Sequence, residues 1–125
     1  MKKKVYVVSF EWAYDCEHDS WVRPYLDKDK AIEEYNRQLK ELKNEGWEAD
    51  ALKDENCIQE PIYEEDDERC TYAWSERELG SPFKHNSEYT TLASFGIYEY
   101  GYETENHSYL RLEEYECEEE ENVET

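Results

Sequence analysis

Residues 5 to 14, VYVVSFEWAY, place Tyr6, Val8, Phe10, Trp12 and Tyr14 on one side of an extended backbone. Val5, Val7, Ser9, Glu11 and Ala13 fall on the other. An alternation of period two with one wholly apolar face suits a strand that covers a core on that face, and no helix can use it. The pattern therefore demands a sheet with something packed on the Tyr6 side. CEHDS (16–20) reads as a turn and WVRPYL (21–26) as a short returning strand. Pro24 cannot donate a ladder hydrogen bond, which favours an edge strand or a strand end.

The period then changes. Asp27 is a good N-cap, and KDKAIEEYNRQLKELKNEG places Ala31, Ile32, Tyr35, Leu39 and Leu42 at helical spacing as far as Gly46, a natural C-terminal stop. The spacing predicts one amphipathic helix, with Glu33 to Arg37 and Arg37 to Glu41 as i,i+4 charge pairs on its outer face. From residue 47 to 90 the pattern weakens. One short strand is expected around RCTYAW (69–74), and the rest reads as irregular. TTLASFGIYEYG (90–101) and HSYLRLEEYEC (107–117) recover strand character, with Phe95 and Ile97 sharing one face and Leu110 and Leu112 another, joined by a loop longer than two residues. The expected fold is α+β in ββα…ββ order: an antiparallel sheet of about four to five strands with one amphipathic helix on one face.

A chain of 125 residues has room for one core. Residues 1–117 are read as a single domain and 118–125 as a frayed acidic tail. Low hydropathy and high charge would argue for disorder, but four Trp, twelve Tyr and three Phe supply large buried areas and argue for a fold. No stretch approaches the roughly 18 apolar residues of a membrane span and no signal peptide is recognisable, so the expected location is the cytoplasm. There Cys16, Cys57, Cys70 and Cys117 would be free thiols.

The segments KVYVVS, DKDKA and SFGIYEYGYETENHSYLRLEE resemble a pattern in small acidic proteins of gut-bacterial phages and conjugative elements. The resemblance covers both ends of the chain and not the middle. It implies a mobile-element setting in a bacterial host cell and an accessory or anti-defence role.

The formal net charge is −20, and it is uneven. Residues 1–46 hold nine Lys and Arg against ten Asp and Glu, whereas residues 47–125 hold five against twenty-four. Two clusters stand out: Glu64, Glu65, Asp66, Asp67 and Glu68, and the closing strand with Glu113, Glu114 and Glu116. On a strand, Glu114 and Glu116 would project from one face roughly 6 to 7 Å apart. Such files of fixed carboxylates can occupy Arg and Lys arrays built for phosphates. The expected function is thus a non-enzymatic inhibitor that mimics DNA charge and blocks the nucleic-acid site of a defence enzyme, a CRISPR nuclease or restriction complex. These eight residues are the expected contacts with a basic nucleic-acid-binding protein, and direct binding of nucleic acid or membrane is not expected. The alternative is a small interaction or structural module whose acidity serves solubility. No phosphate loop, nucleophile elbow or metal-ligand spacing occurs, so no cofactor or metal is expected.

Overall fold

The computed structural model describes residues 2–60, 72–85, 88–99 and 106–118. Among them the sheet has seven strands, not four to five, and is mixed rather than antiparallel. In chain order the elements are β1 (Lys2–Tyr14), β2 (Glu17–Tyr25), α1 (Lys28–Asn44), α2 (Gly46–Leu52), β3 (Ile58–Gln59), β4 (Tyr72–Arg77), β5 (Phe83–His85), β6 (Tyr89–Glu99) and β7 (His107–Glu118). The extra elements, α2, β3 and β5, all fall in the stretch expected to be irregular. They are two to seven residues long, too short to show a period of their own, and β3 and β5 are held by ladder bonds to longer neighbours.

The strand order is β2-β1-β7-β6-β4-β3, so the last strand to be made fills the centre between β1 and β6. β3 runs parallel to β4, and the other pairings are antiparallel. β4 and β5 both pair with β6, β4 at Ser94 to Glu99 and β5 at Tyr89 to Thr91. A register shift in β6 between Thr91 and Ala93 separates these two pairings.

The first hairpin is tighter than the sequence suggested. Asp15 and Cys16 have φ of 54° and 72°, and Tyr14 pairs directly with Glu17. A two-residue turn with both central residues left-handed matches the twist of its strands, and Asp tolerates that conformation. HDS therefore belongs to β2. β2 lies at the edge with Pro24 in it, as its missing N–H requires.

Asp27 caps α1, its side chain accepting from the backbone N–H of Asp29 and Lys30. Gly46, at φ 76°, takes the left-handed conformation that stops α1, and α2 starts there. On the outer face Arg37 reaches Glu41 at 2.8 Å and Glu34, not Glu33, at 2.7 Å. Arg23 of β2 and Gln38 also donate to Glu34. Partial burial works against ionisation of Glu34, but the bonds from Gln38 and Arg37 and the charges of Arg37 and Arg23 hold its pKa below the usual carboxylate value.

Both helices cover one face of the sheet. Tyr6 and Val8 of β1, Leu110 and Leu112 of β7, and Ala31 and Tyr35 of α1 form one core cluster. Phe95 and Ile97 of β6 with Ala51 of α2 form a second, bordered by Trp47, Tyr72 and Trp74. Ser108 is fully buried on this face and donates to Glu48 Oε2 at 2.7 Å, fixing α2 to the central strand. His107 beside it points to the opposite face, as alternation requires.

Tyr35 is 2% exposed, and its hydroxyl finds no hydrogen-bond partner among the described residues. Burial, then the charge of Glu76, pushes its ionisation far upward, so the phenol stays neutral. Tyr35→Phe removes an uncompensated buried hydroxyl and keeps the ring. Its urea midpoint is expected to be unchanged or raised, by up to about 1 kcal/mol of stability. A loss of more than that would mean the hydroxyl has a partner.

Candidate functional site

Glu113, Glu114 and Glu116 do not share a face. Successive strand residues alternate, so Glu113 lies on the face away from the helices, while Glu114 and Glu116 follow Leu110 and Leu112 on the helix side. Glu113 Oε1 accepts from the Tyr115 hydroxyl at 3.1 Å. Burial, then the charge of Glu113 and this bond, pushes the Tyr115 phenol up to about 12. The antiparallel register sets the basic start of the chain against its acidic end: Lys2 pairs with Glu118, Lys3 with Cys117 and Lys4 with Glu116. Lys4 Nζ lies 3.7 Å from Glu114 Oε2. Part of the expected anionic file is thus answered inside the fold. Glu64, Glu65, Asp66, Asp67 and Glu68 lie outside the described residues.

A second set of acids, from separate elements, acts through its charge on one tyrosine. Asp50 of α2, Asp54 just after it and Glu99 at the end of β6 act together on Tyr72, the first residue of β4. Burial, then the charges of Glu99 and Asp54, then Tyr14 and Asp50, raises its phenol pKa. The neighbouring rings are close: Tyr14 to Trp47 at 5.6 Å and Trp47 to Tyr72 at 6.4 Å between centroids. Two of these acids, Glu99 and Asp54, are held by hydrogen bonds. Asn106 Nδ2 donates to Glu99 Oε1 at 2.7 Å, the Asp15 N–H donates to Asn106 Oδ1 at 3.1 Å, and Asp54 Oδ1 accepts from the Asn56 N–H at 2.8 Å. Sequence reasoning missed this set because no run of acids marks it. The one local signal is Asp50 and Asp54 four residues apart, a like-charge spacing that a helix tolerates poorly.

The face opposite the helices carries a groove of about 760 Å³. Its floor is made of small residues, Ser75, Thr91, Ser94 and Gly96. A Cβ on Gly96 would lie 2.7 Å from Cδ1 of Tyr109, so glycine is what lets that ring lie over β6. Tyr109 stacks on His107 at 4.8 Å, and the Arg111 guanidinium sits 5.4 Å from its ring centroid. Arg111 donates to Glu11 Oε1 at 2.9 Å. At the other end His85 stacks on Tyr89 at 4.3 Å and Tyr89 on Tyr115 at 5.1 Å, a ring ladder across three strands. His85 Nε2 lies 2.7 Å from Thr91 Oγ1. Of the expected contact residues among those described, only Glu113 lines this groove. The signal for it was present in the odd positions of HSYLRLEEYEC, where His107, Tyr109, Arg111, Glu113 and Tyr115 make a polar and aromatic face.

Cys16, Cys57 and Cys117 are free, and Cys70 lies outside the described residues. Among the described residues no three His, Cys, Asp or Glu side chains stand together as metal ligands, and no helix is long and apolar enough to cross a membrane. Compared with family models, curated proteins and solved structures, the chain gives no match.

Proposed function

We propose that the protein is a non-enzymatic acidic binding protein of a phage or conjugative element, acting in the bacterial cytoplasm on a basic nucleic-acid-binding partner. The partner class is a defence enzyme, a CRISPR nuclease or restriction complex, whose phosphate-binding cations would be occupied by carboxylates. The observation that supports this reading is that the charges of Glu99, Asp54 and Asp50, from three separate elements, all act on Tyr72, in a chain of net charge −20. Fixed acids on ordered elements can face a cationic site without the reorganisation a flexible tail would need. Tyr14, Trp47 and Tyr72 add ring surface beside them, and such rings supply the apolar anchors of durable complexes. Tyr72 also follows in sequence the stretch that holds Glu64 to Glu68.

The test starts with a pull-down from a native host at low salt, followed by asking whether the captured protein loses DNA binding. The triple variant Asp50→Asn, Asp54→Asn, Glu99→Gln keeps the side-chain shapes and the acceptor for Asn106. It is expected to weaken the complex by tenfold or more, about 1.4 kcal/mol, and reversal of Glu64 to Glu68 to lysine should weaken it further. Affinity should fall steeply with added salt. Unchanged affinity in both variants would remove charge mimicry from the mechanism. A complex indifferent to salt would instead favour a shape-dominated interaction module, a reading to which the pairing of Lys2, Lys3 and Lys4 along the acidic β7 lends support.

A further inference from the structure

At one end of the described sheet lies β3, with two residues, and at the other lies β2, with nine. A long edge strand presents a row of unpaired N–H and C=O groups, a template on which another strand can build. The phase of that row follows from the first turn. A two-residue turn closes on a pair that exchanges hydrogen bonds, here Tyr14 with Glu17, and such pairs then alternate with pairs whose backbone groups point away from each other. The register runs from Tyr14 and Glu17 to Tyr6 and Tyr25 without a shift, so Glu17, Asp19, Trp21, Arg23 and Tyr25 bond to β1. His18, Ser20, Val22 and Pro24 turn their backbone groups outward along the open edge.

Two of these four positions offer no donor. Pro24 has no N–H, and the Ser20 N–H donates to Oδ1 of Asp19 at 2.7 Å. A carboxylate is a stronger acceptor than the carbonyl of an incoming strand, so that N–H is already satisfied. Charge gives this edge little protection of its own. β2 holds Glu17 and Asp19 against Arg23, and nearly all of the excess acid lies beyond residue 46. Val22, between the two closed positions, is 63% exposed and is a residue type that pairing strands favour.

We infer that Asp19 and Pro24 form a guard that keeps β2 from adding a strand, and that the strand they exclude is β2 of a second copy of this chain. The sequence of β2 is self-complementary. Antiparallel pairing centred on Ser20 sets Glu17 against Arg23, and pairing centred on Trp21 sets Asp19 against Arg23, opposite charges across the join in both cases. The Arg23 side chain, although it donates to Glu34, keeps 47% of its surface exposed. Both arrangements place outward groups opposite outward groups, both need the Ser20 N–H, and the second also needs a donor at position 24. Asp19 therefore closes the two registers that charge would favour, and Pro24 closes one of them a second time. The guard lies on β2, away from the acidic set around Tyr72, and stands independently of the proposed partner.

The experiment is sedimentation of the full chain in about 0.5 M NaCl, where a Debye length of about 4 Å keeps net charge from deciding the outcome. The parent is expected to be a monomer. Asp19→Ala combined with Pro24→Val opens the row and is expected to tighten self-association at least about tenfold. Asp19→Asn with Pro24→Val removes the same charge but keeps an oxygen for the Ser20 N–H, and it should stay within about threefold of the parent. Both positions are exposed and neither change touches a bond to β1, so the urea midpoints should match the parent's. Adding Val22→Pro to the opened chain removes an outward donor again and should restore the monomer, a rescue that association through unfolded chains would not show. The inference is overturned if the parent associates as tightly as the opened variant, if the opened variant stays monomeric, if the Ala and Asn forms associate alike, or if proline at position 22 leaves the association intact.

Discussion

Replacing Phe95 with alanine is expected to cost about 3–5 kcal/mol and to leave little or no folded protein at ambient temperature. Phe95 is 1% exposed and joins the sheet to α2, with the Trp74 ring at 6.1 Å and Lys43 Nζ at 5.2 Å from its ring centroid. Among the described residues the other fully buried members of the second core cluster are Ala51 and Ile97, and the large side chains that border it, such as Trp47 and Trp74, are already packed against it and can refill the space only in part. Small domains are stable by only about 5–15 kcal/mol in total, and self-repulsion from a net charge of −20 takes this one toward the lower end. Urea unfolding followed by tryptophan fluorescence checks the loss, with Val22→Ala as the control. Val22 is 63% exposed, and its truncation should stay within about 0.5 kcal/mol of the parent. A Phe95→Ala protein with a near-parental midpoint would mean that the cluster is not a core.

Gly96→Val should cost about 1–3 kcal/mol as an overpacking change, although valine is by propensity the better strand residue. Its Cβ would fall within 2.9 Å of two Tyr109 ring carbons, and the ring would have to leave β6. That movement breaks the stack on His107 and withdraws the ring from the Arg111 guanidinium. A double-mutant cycle isolates the cause. In a Tyr109→Ser background the penalty for Gly96→Val should shrink to near zero or change sign. If the penalty persists without the tyrosine ring, backbone conformation and not ring contact makes glycine necessary at this position.

The two sites differ in how far the sequence could show them. Charge asymmetry is additive and survives any folding, so the acidity of the latter part of the chain could be counted directly. Which acids stand together could not, because Asp50, Asp54 and Glu99 come from a helix, a turn and a strand end that meet only in space. The run at Glu113, Glu114 and Glu116 was conspicuous in sequence, yet strand alternation divides it between two faces and the β1 register brings lysines against it. Runs of like charge along a chain are therefore a poor guide to a charged face when the chain is extended.

By itself the sequence determined the long elements. The period-two face of Tyr6 and Val8, the Asp27 cap with the Ala31 and Tyr35 stripe, and the paired faces of Phe95, Ile97, Leu110 and Leu112 each repeat often enough to fix element type and buried side, and these residues are buried as their spacing requires. Only the tertiary structure decided the seven-stranded mixed sheet, the central place of β7, the short α2, β3 and β5, and both candidate sites. The physical reason is range. Periodicity and capping are settled between residues a few positions apart, whereas strand order, two-residue ladders and the company a side chain keeps depend on pairings between distant segments, such as Glu11 with Arg111.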